Sequence, residues 1–556
     1  MNFKLKFLPI LLLLLVDLVL LFFVYDDYGI GWDENSSRDI GVHNALIANE
    51  KTGYLLYPKA ELESRIKEKL DDTKQSEYLN QDHIQTYSYR MYGPAFELAL
   101  VGLERIIGLN QDRELYLFRH ITTHLFFLSG IFVFYLLLFY HFQDWKIALL
   151  GTIMLLLVPR LYPHSFFNPK DIPFLVTCIF ATYSMFRFVD KPGVGSAIIH
   201  GLICALAIDI RIIGLLFPLI TIGLWGAEIF LLRKPQGKEP FQAFKYLLVY
   251  GISISLFVIL FWPYLWNNPL EHLVWSFKSM SNYPWQGSLL FLRKIYTPVE
   301  YLPISFYPVW FSIITPPVFF VGFLFSFFRF SRINFRALTT EHKIDRLHLT
   351  SILLFILPGS SAILLKSVLY DDCRHFFFVY PYFIIMVLSG FLWIKQKLEW
   401  LYKFKIIYFY GGMATLLLPI LVKMVMLHPF EYVYFNGLAG KNIEKNFETD
   451  YWGISYKEGF DCILEVEKTS KNIKIMMDDS LLSPVVYNSF LLKPEQLEQI
   501  EWVNDISEAD YFMTTYRCTA DRREHLKQWH IDPDWEVDSI YAGGIKILSV
   551  FNIQKE

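Results

Sequence analysis

FLPILLLLLVDLVLLFFVYDDYGIGWDENSS, residues 7–37, decides the class of this protein. The run to Val24 is long enough to cross a bilayer, which takes about 20 mostly apolar residues. The basic start MNFKLKF followed by an apolar run resembles a secretory signal, but no small-residue cleavage site follows. The segment is therefore expected to stay as a first span. Just past its exit stand Asp33 and Glu34. An acidic pair there is either a solvated loop end, as Asp26 and Asp27 suggest, or chemistry held at the water–lipid boundary.

Composition supports the membrane reading. Of 556 residues, 54% are hydrophobic, 18% aromatic and only 19% charged, against about 25% charged in soluble domains. A net charge of −3 gives no reason to expect a nucleic-acid partner. Five cysteines do not make a disulfide scaffold. Cys178 and Cys204 fall in apolar runs, as packing residues do. Cys462 and Cys518 fall in the polar tail, where a bridge is open to them.

Eleven stretches are candidate spans: 7–25, 117–140, 146–160, 172–189, 195–209, 212–231, 246–265, 306–329, 349–366, 375–394 and 405–427. Lys4 and Lys6, Arg187 and Lys191, the 233–245 loop (Arg233, Lys234, Lys238, Lys245), the 329–346 loop (Arg329, Arg332, Arg336, Lys343, Arg346) and the 395–405 loop (Lys395, Lys397, Lys403, Lys405) all fall on the N-terminal side. The positive-inside rule makes that side cytoplasmic. The segments 26–116, 160–171, 266–305, 367–374 and everything after 428 then lie outside. Residues 92–108, with helical spacing broken by Glu97, Glu104 and Arg105, predict an interfacial helix and not a span. The tail mixes short apolar runs (IKIMM, YFMTT, IKILSV) with a charged helical stretch, ADRREHLKQWH. The expectation is an α-helical polytopic membrane protein with a transmembrane domain over 1–430 and a small extracytoplasmic α/β domain over 431–556.

Charges at a membrane boundary are costly and invite functional hypotheses. The candidates all fall on the outer face: Asp33 and Glu34; Arg119 and His120; PRLYPHSFFNPKDIP (159–173) with Arg160, His164, Asn168, Lys170 and Asp171; Asp209 and Arg211; Asp371, Asp372, Arg374 and His375. Each has a plain alternative. Asp209 and Arg211 can neutralise each other at a helix end. Asn168-Pro-Lys-Asp reads equally as a turn opening a helix. Arg374-His375 reads equally as an interfacial anchor, and His164 as a packed polar group. No CxxC spacing argues for a metal, and no GxxxxGK[ST] or GxGxxG loop is present. An activated donor would then be lipid-borne and reached from outside.

GWDE (31–34), YGPAFEL (92–98), LYLFRHITTHL (115–125), PRLYPHSFFNPKDIPF (159–174), SNYPWQGSLLF (281–291), YDDCRHFFFVYP (370–381) and HPFEYVYFNGLAG (428–440) carry a resemblance. Over roughly residues 1–440 the chain resembles the GT-C membrane glycosyltransferases, in particular the dolichyl-phosphate-mannose–protein mannosyltransferases and the lipid A aminoarabinose transferases. The tail resembles nothing assigned.

That resemblance implies a GT-C fold and inverting transfer of a sugar from a polyprenyl-phosphate donor to a hydroxyl of a protein, lipid or glycan. Asp33 would be the general base and Glu34 would orient it. Arg119, Lys170, Arg211 and Arg374 would face the leaving phosphate. His164, Asn168, Asp171, Trp285 and His375 would line the substrate site. A divalent metal at Asp33 and Glu34 stays open. The aromatic loop with Trp266, Trp275, Tyr283 and Trp285 would cover the sugar or form an interfacial belt. The expected location is a bacterial inner membrane. The alternatives are a lipid or glycan transporter or flippase, an assembly protein, and a polyprenyl-diphosphate-dependent glycan polymerase or ligase.

Overall fold

The computed structural model describes residues 3–53, 89–227, 239–281, 283, 285, 287–297, 301–331, 343–402, 406–467, 472–476 and 484–554. Arg233, Lys234, Lys238, Arg332, Arg336, Lys403 and Lys405, which carry part of the orientation reading, lie outside these residues, as does the middle of the first external loop.

In chain order the main helices begin with α1 (Phe3–Val24), α2 (Trp32–Lys51), α3 (Ala95–Ile107), α4 (Asp112–Phe142), α5 (Trp145–Leu156) and α6 (Leu161–Phe167). They continue with α7 (Asp171–Asp190), α8 (Val194–Ile210), α9 (Leu216–Gly226), α10 (Glu239–Phe261), α11 (Pro269–Ser281), α12 (Phe306–Ile314) and α13 (Pro317–Phe330). Then come α14 (Lys343–Leu364), α15 (Tyr380–Tyr402), α16 (Ile406–Leu427), α17 (Tyr456–Val466), α18 (Pro484–Ser489) and α19 (Arg522–Gln528).

Seven helices among the described residues are long and apolar enough to cross a bilayer. The pairs α5–α6 and α12–α13 would raise the number to nine, but they bend by 67° and 117°. The eleven stretches read from hydropathy therefore become seven long helices, two bent pairs and two short helices, α8 and α9. Hydropathy counts apolar residues and is blind to direction. Pro159 and the Pro316-Pro317 pair turn the chain at the two bends, and an extended Arg211 interrupts the chain between α8 and α9. The protein is a multi-pass integral membrane protein.

Packing divides the chain into two compact units, Met1–Glu34 with Asn110–Leu175 and Pro284–Glu556, and Asn35–Leu109 with Val176–Tyr283. In the first, α13 lies along α15, where a Cβ on Gly390 would fall on the Gly322 carbonyl oxygen. Such close backbone approach is how helices associate where lipid removes the hydrophobic drive. A buried cluster joins Leu21 and Tyr28 to Phe166, Phe167, Trp452 and Ile547, so the span-1 exit and the tail share one core. His428, just past α16, bonds Asp27 at 2.8 Å and Glu431 at 2.9 Å.

The tail holds a five-stranded mixed sheet, ordered β4-β3-β5-β7-β6, after a separate hairpin of β1 (Leu289–Phe291) and β2 (Lys294–Tyr296). Its strands are β3 (Ile473–Met476), β4 (Ile500–Val503), β5 (Tyr511–Thr514), β6 (Glu536–Ala542) and β7 (Ile545–Asn552). β3 runs parallel to β4 and β5, while β7 runs antiparallel to β5 and β6. The runs read as IKIMM, YFMTT and IKILSV supply β3, β5 and β7, and the charged stretch supplies α19. All five cysteines are free, so Cys462 and Cys518 do not form the bridge that was open to them.

The second unit contains the helix expected over 92–108, shortened to α3. It buries Glu97, Leu100 and Glu104 and exposes Leu103, Ile106 and Ile107. Glu104 accepts from Arg38 at 3.2 Å, which explains how acids come to lie on its inner face. α11 likewise exposes Leu270, Val274 and Phe277. Deep in this unit His200 bonds Ser184 (2.8 Å) and Thr221 (2.9 Å) and stacks on Tyr250.

Candidate functional site

The turn after α1 opens α2. Gly31 precedes the first helical residue, and Glu34 Oε1 accepts its N–H at 2.7 Å, satisfying a helix-start donor as in a capping box. His120 of α4 lies 3.1 Å from the other oxygen of Glu34. Glu34 is 1% exposed. A side chain at Gly31 would meet the Trp452 ring at 2.8 Å, so the small residue lets the indole close over the turn. Asp33, one residue earlier than Glu34, faces the other way.

Arg374 is the hub. Its Nη1 donates to Asp33 Oδ2 at 2.6 Å and lies 3.5 Å from Asp171 Oδ2. Its Nη2 lies 3.3 Å from Asp371 Oδ2. The guanidinium sits over the rings of Trp452 (4.7 Å) and Tyr370 (5.1 Å). Its side chain is 2% exposed, whereas that of Asp33 is 29% exposed. A buried cation thus holds a carboxylate that stays partly exposed.

Asp372 receives Arg160 Nη1 at 2.6 Å and the Tyr451 hydroxyl at 2.8 Å. Burial pushes Asp372 up to about 6, against the pull of Arg160, Tyr451 and Arg374. Asp371 and Asp372 both have left-handed backbones, φ 52° and 61°, a conformation that Asp tolerates better than most residues. Successive left-handed residues turn the two carboxylates to different arginines: Asp371 also takes Arg517 at 2.8 Å. Asp33, Asp171, Asp371 and Asp372 thus face Arg160, Arg374 and Arg517.

Below them the Asn168 amide donates to Asp171 (2.9 Å) and to His164 Nδ1 (3.0 Å), and its carbonyl accepts the Asp171 N–H (2.8 Å). Asn168 is both the turn that opens α7 and the group that aims Asp171 at Arg374. His164 is fully buried and packs edge-on to Phe377 and Trp452. Trp285 stacks on Tyr370 at 4.8 Å and 7°, and His375 meets the same ring edge-on at 4.7 Å.

Of the predicted residues, the structure brings Asp33, Asp171 and Arg374 into contact, with Asn168, His164, Trp285 and His375 around them. Lys170 sits half-buried in the Asn168 turn. Arg119 is buried on α4 beside His120. Arg211 belongs to the second unit. There Asp209 caps α3 by accepting the Ala95 N–H. Trp266, Trp275 and Tyr283 also lie in the second unit, where Arg90 covers Trp275 at 4.2 Å. Arg517, Trp452, Tyr451 and Tyr370 were not anticipated as site residues. An arginine or tryptophan in a polar tail carries no pattern of its own.

Asp33 and Glu34 do not converge on a common point for a cation, since one turns to Arg374 and the other to His120 and Gly31. Among the described residues no group of three or more His, Cys, Asp or Glu side chains has metal-holding geometry.

No protein-family model and no curated protein matches the chain. Among solved structures it is similar to the Archaeoglobus fulgidus oligosaccharyltransferase in the apo form, with a TM-score of 0.39 and 11% identity. That alignment covers 76% of this chain and 57% of the other, so the chain spans little more than half that protein's length. At this score the similarity supports no assignment.

Proposed function

We propose that this protein is a membrane glycosyltransferase of GT-C type that moves a sugar from a polyprenyl-phosphate donor to a hydroxyl acceptor. The observation that carries the reading is the partly exposed carboxylate of Asp33, held just past the first span by the buried Arg374. The sequence resemblance described above supports the same chemistry.

In the proposed step the acceptor oxygen attacks the anomeric carbon from the face opposite the phosphate. The new C–O bond forms as the bond to the phosphate oxygen breaks, inverting the configuration. Asp33 accepts the hydroxyl proton, and polyprenyl phosphate leaves with the bonding electron pair. One base suffices; a hydrolase would need a flanking carboxylate pair. Glu34 holds the helix start that aims Asp33. Asp171 and Asp371 orient Arg374, whose charge, with that of the half-buried Lys170, opposes the charge growing on the leaving group. Losing such a stabiliser costs about 3–4 kcal/mol in the transition state. Trp285, Tyr370 and His375 offer ring faces and a polar edge for the sugar. The N-terminus is assigned to the cytoplasm and the site to the outer face.

The test compares a strain lacking the protein with strains complemented by wild type or by Asp33→Asn. Mass spectrometry of envelope lipids, glycans and proteins looks for a missing sugar-sized increment. Wild type should restore it and a well-expressed Asp33→Asn should not. Full restoration by Asp33→Asn would remove Asp33 as the base.

A further inference from the structure

The C-terminal sheet carries an arginine into the cluster, and its surroundings differ from those of the other two. Arg374 is 2% exposed and spans three carboxylates. Arg160 is 1% exposed and lies between Asp372 and the Tyr434 carbonyl. Arg517 keeps 21% of its side chain open. Its Nη2 donates to Asp371, and among the described residues its other N–H groups make no hydrogen bond. The guanidinium lies over Trp32 at 4.6 Å, the residue before Asp33.

The loop behind it is built for this placement. Tyr516 and Cys518, on either side of Arg517, are left-handed at φ 56° and 59°. Such backbones persist only where the surroundings over-determine them. Tyr516 N–H donates to Thr514 and its hydroxyl to Ser549. Cys518 N–H donates to the buried Glu448 at 3.1 Å and its thiol to the Ser288 carbonyl at 2.7 Å. A second clamp acts on the turn before Asp33: Asn488 of α18 exchanges hydrogen bonds of 2.9 and 3.0 Å with the backbone of Ile30.

We infer that Arg517 is the guanidinium that meets the phosphate of the lipid-linked donor, so that the C-terminal domain completes the membrane site. The inference rests on the polyprenyl-phosphate reading above. Asp371 fixes one edge of the planar fork and Trp32 fixes its plane. The remaining edge suits the paired oxygens of a phosphate, a geometry a lysine cannot reproduce. Arg374, enclosed by three carboxylates, positions Asp33 and adds its charge from behind.

The full-length protein in detergent is titrated calorimetrically with farnesyl phosphate, farnesol and dioleoyl phosphatidic acid. Wild type should bind farnesyl phosphate about ten- to a hundredfold more tightly than farnesol, the range of a charge-assisted hydrogen bond or two. Arg517→Gln should abolish that preference and leave farnesol binding unchanged. Arg517→Lys should keep part of it, which decides the matter if the Gln variant unfolds. Arg523→Gln, the same charge change at an exposed site of the same domain, should keep all of it. A full preference in Arg517→Gln overturns the inference and leaves the donor reading standing. No preference in wild type overturns both. Phosphatidic acid binding as tightly as farnesyl phosphate would assign Arg517 to lipid headgroups and overturn the donor role.

Discussion

The surroundings of Arg374 and of His200 handle buried polarity in opposite ways. Around Arg374, carboxylates and guanidiniums alternate, Arg374 and Asp371 each touch more than one partner, and Asp33 stays partly exposed. Around His200, hydroxyls close the ring nitrogens, Cys204 and Tyr250 bond each other at 3.2 Å, and no carboxylate or guanidinium takes part in those bonds. Charge in the bilayer interior is expensive unless paired or wet, and the charges around Arg374 are all paired. The groups around His200 are ones that hydrogen bonds alone can satisfy.

The largest effect that would break this contrast is at Arg374. Arg374→Ala removes the cation that Asp33, Asp171 and Asp371 share, leaving Asp371 its contact with Arg517. Removing one partner of a buried pair costs about 3–5 kcal/mol. The midpoint of thermal unfolding in detergent should fall well below that of wild type, and Arg374→Lys should recover only part, having no fork. A midpoint equal to wild type would show that the carboxylates need no counter-charge.

A second boundary cluster sharpens the comparison through pH. Burial disfavours charge on His428, but Asp27 and Glu431 outweigh it and push the imidazole up to about 9. The unfolded value is about 6.5, so the stabilisation is whole below pH 6.5 and is lost as pH rises through 9. Its size is on the order of 2 kcal/mol. His428→Gln should therefore lower the unfolding midpoint at pH 6 and converge with wild type near pH 9.5. A difference that stays constant with pH would refute the ionic account.

The smallest effect belongs to the interior network. Ser184→Ala should cost about 0.6–1.7 kcal/mol, the range for hydrogen bonds between membrane helices. A cost as large as that of Arg374→Ala, measured by the same unfolding, would erase the distinction between the two regions.

Much of the site was legible in the chain. Asp33, Asn168, Asp171 and Arg374 could be singled out because charge beside an apolar run has few cheap explanations. Their mutual contact could not, since Asp33 and Arg374 are 341 positions apart and nothing local pairs them. Glu34 looked like the twin of Asp33. The helix start separates them, because successive side chains in a first turn point in different directions. Arg517 and Trp452 were invisible for a different reason. Each is an ordinary tail residue until β5, the left-handed turn around Arg517 and the Asp450 hydrogen bonds to Gly453 and Ser455 aim it.

Composition and apolar run length by themselves determined that this is a multi-pass membrane protein with a small mixed helix-and-strand region in its tail. Both follow from one-dimensional quantities, the length of apolar runs and the alternation within short ones. Only the tertiary structure decided which runs bend, which of two adjacent acids faces solvent, and which arginine keeps an open edge. Those outcomes depend on the direction of backbone turns and on which side chains compete for the same buried charge, and neither is written in local spacing.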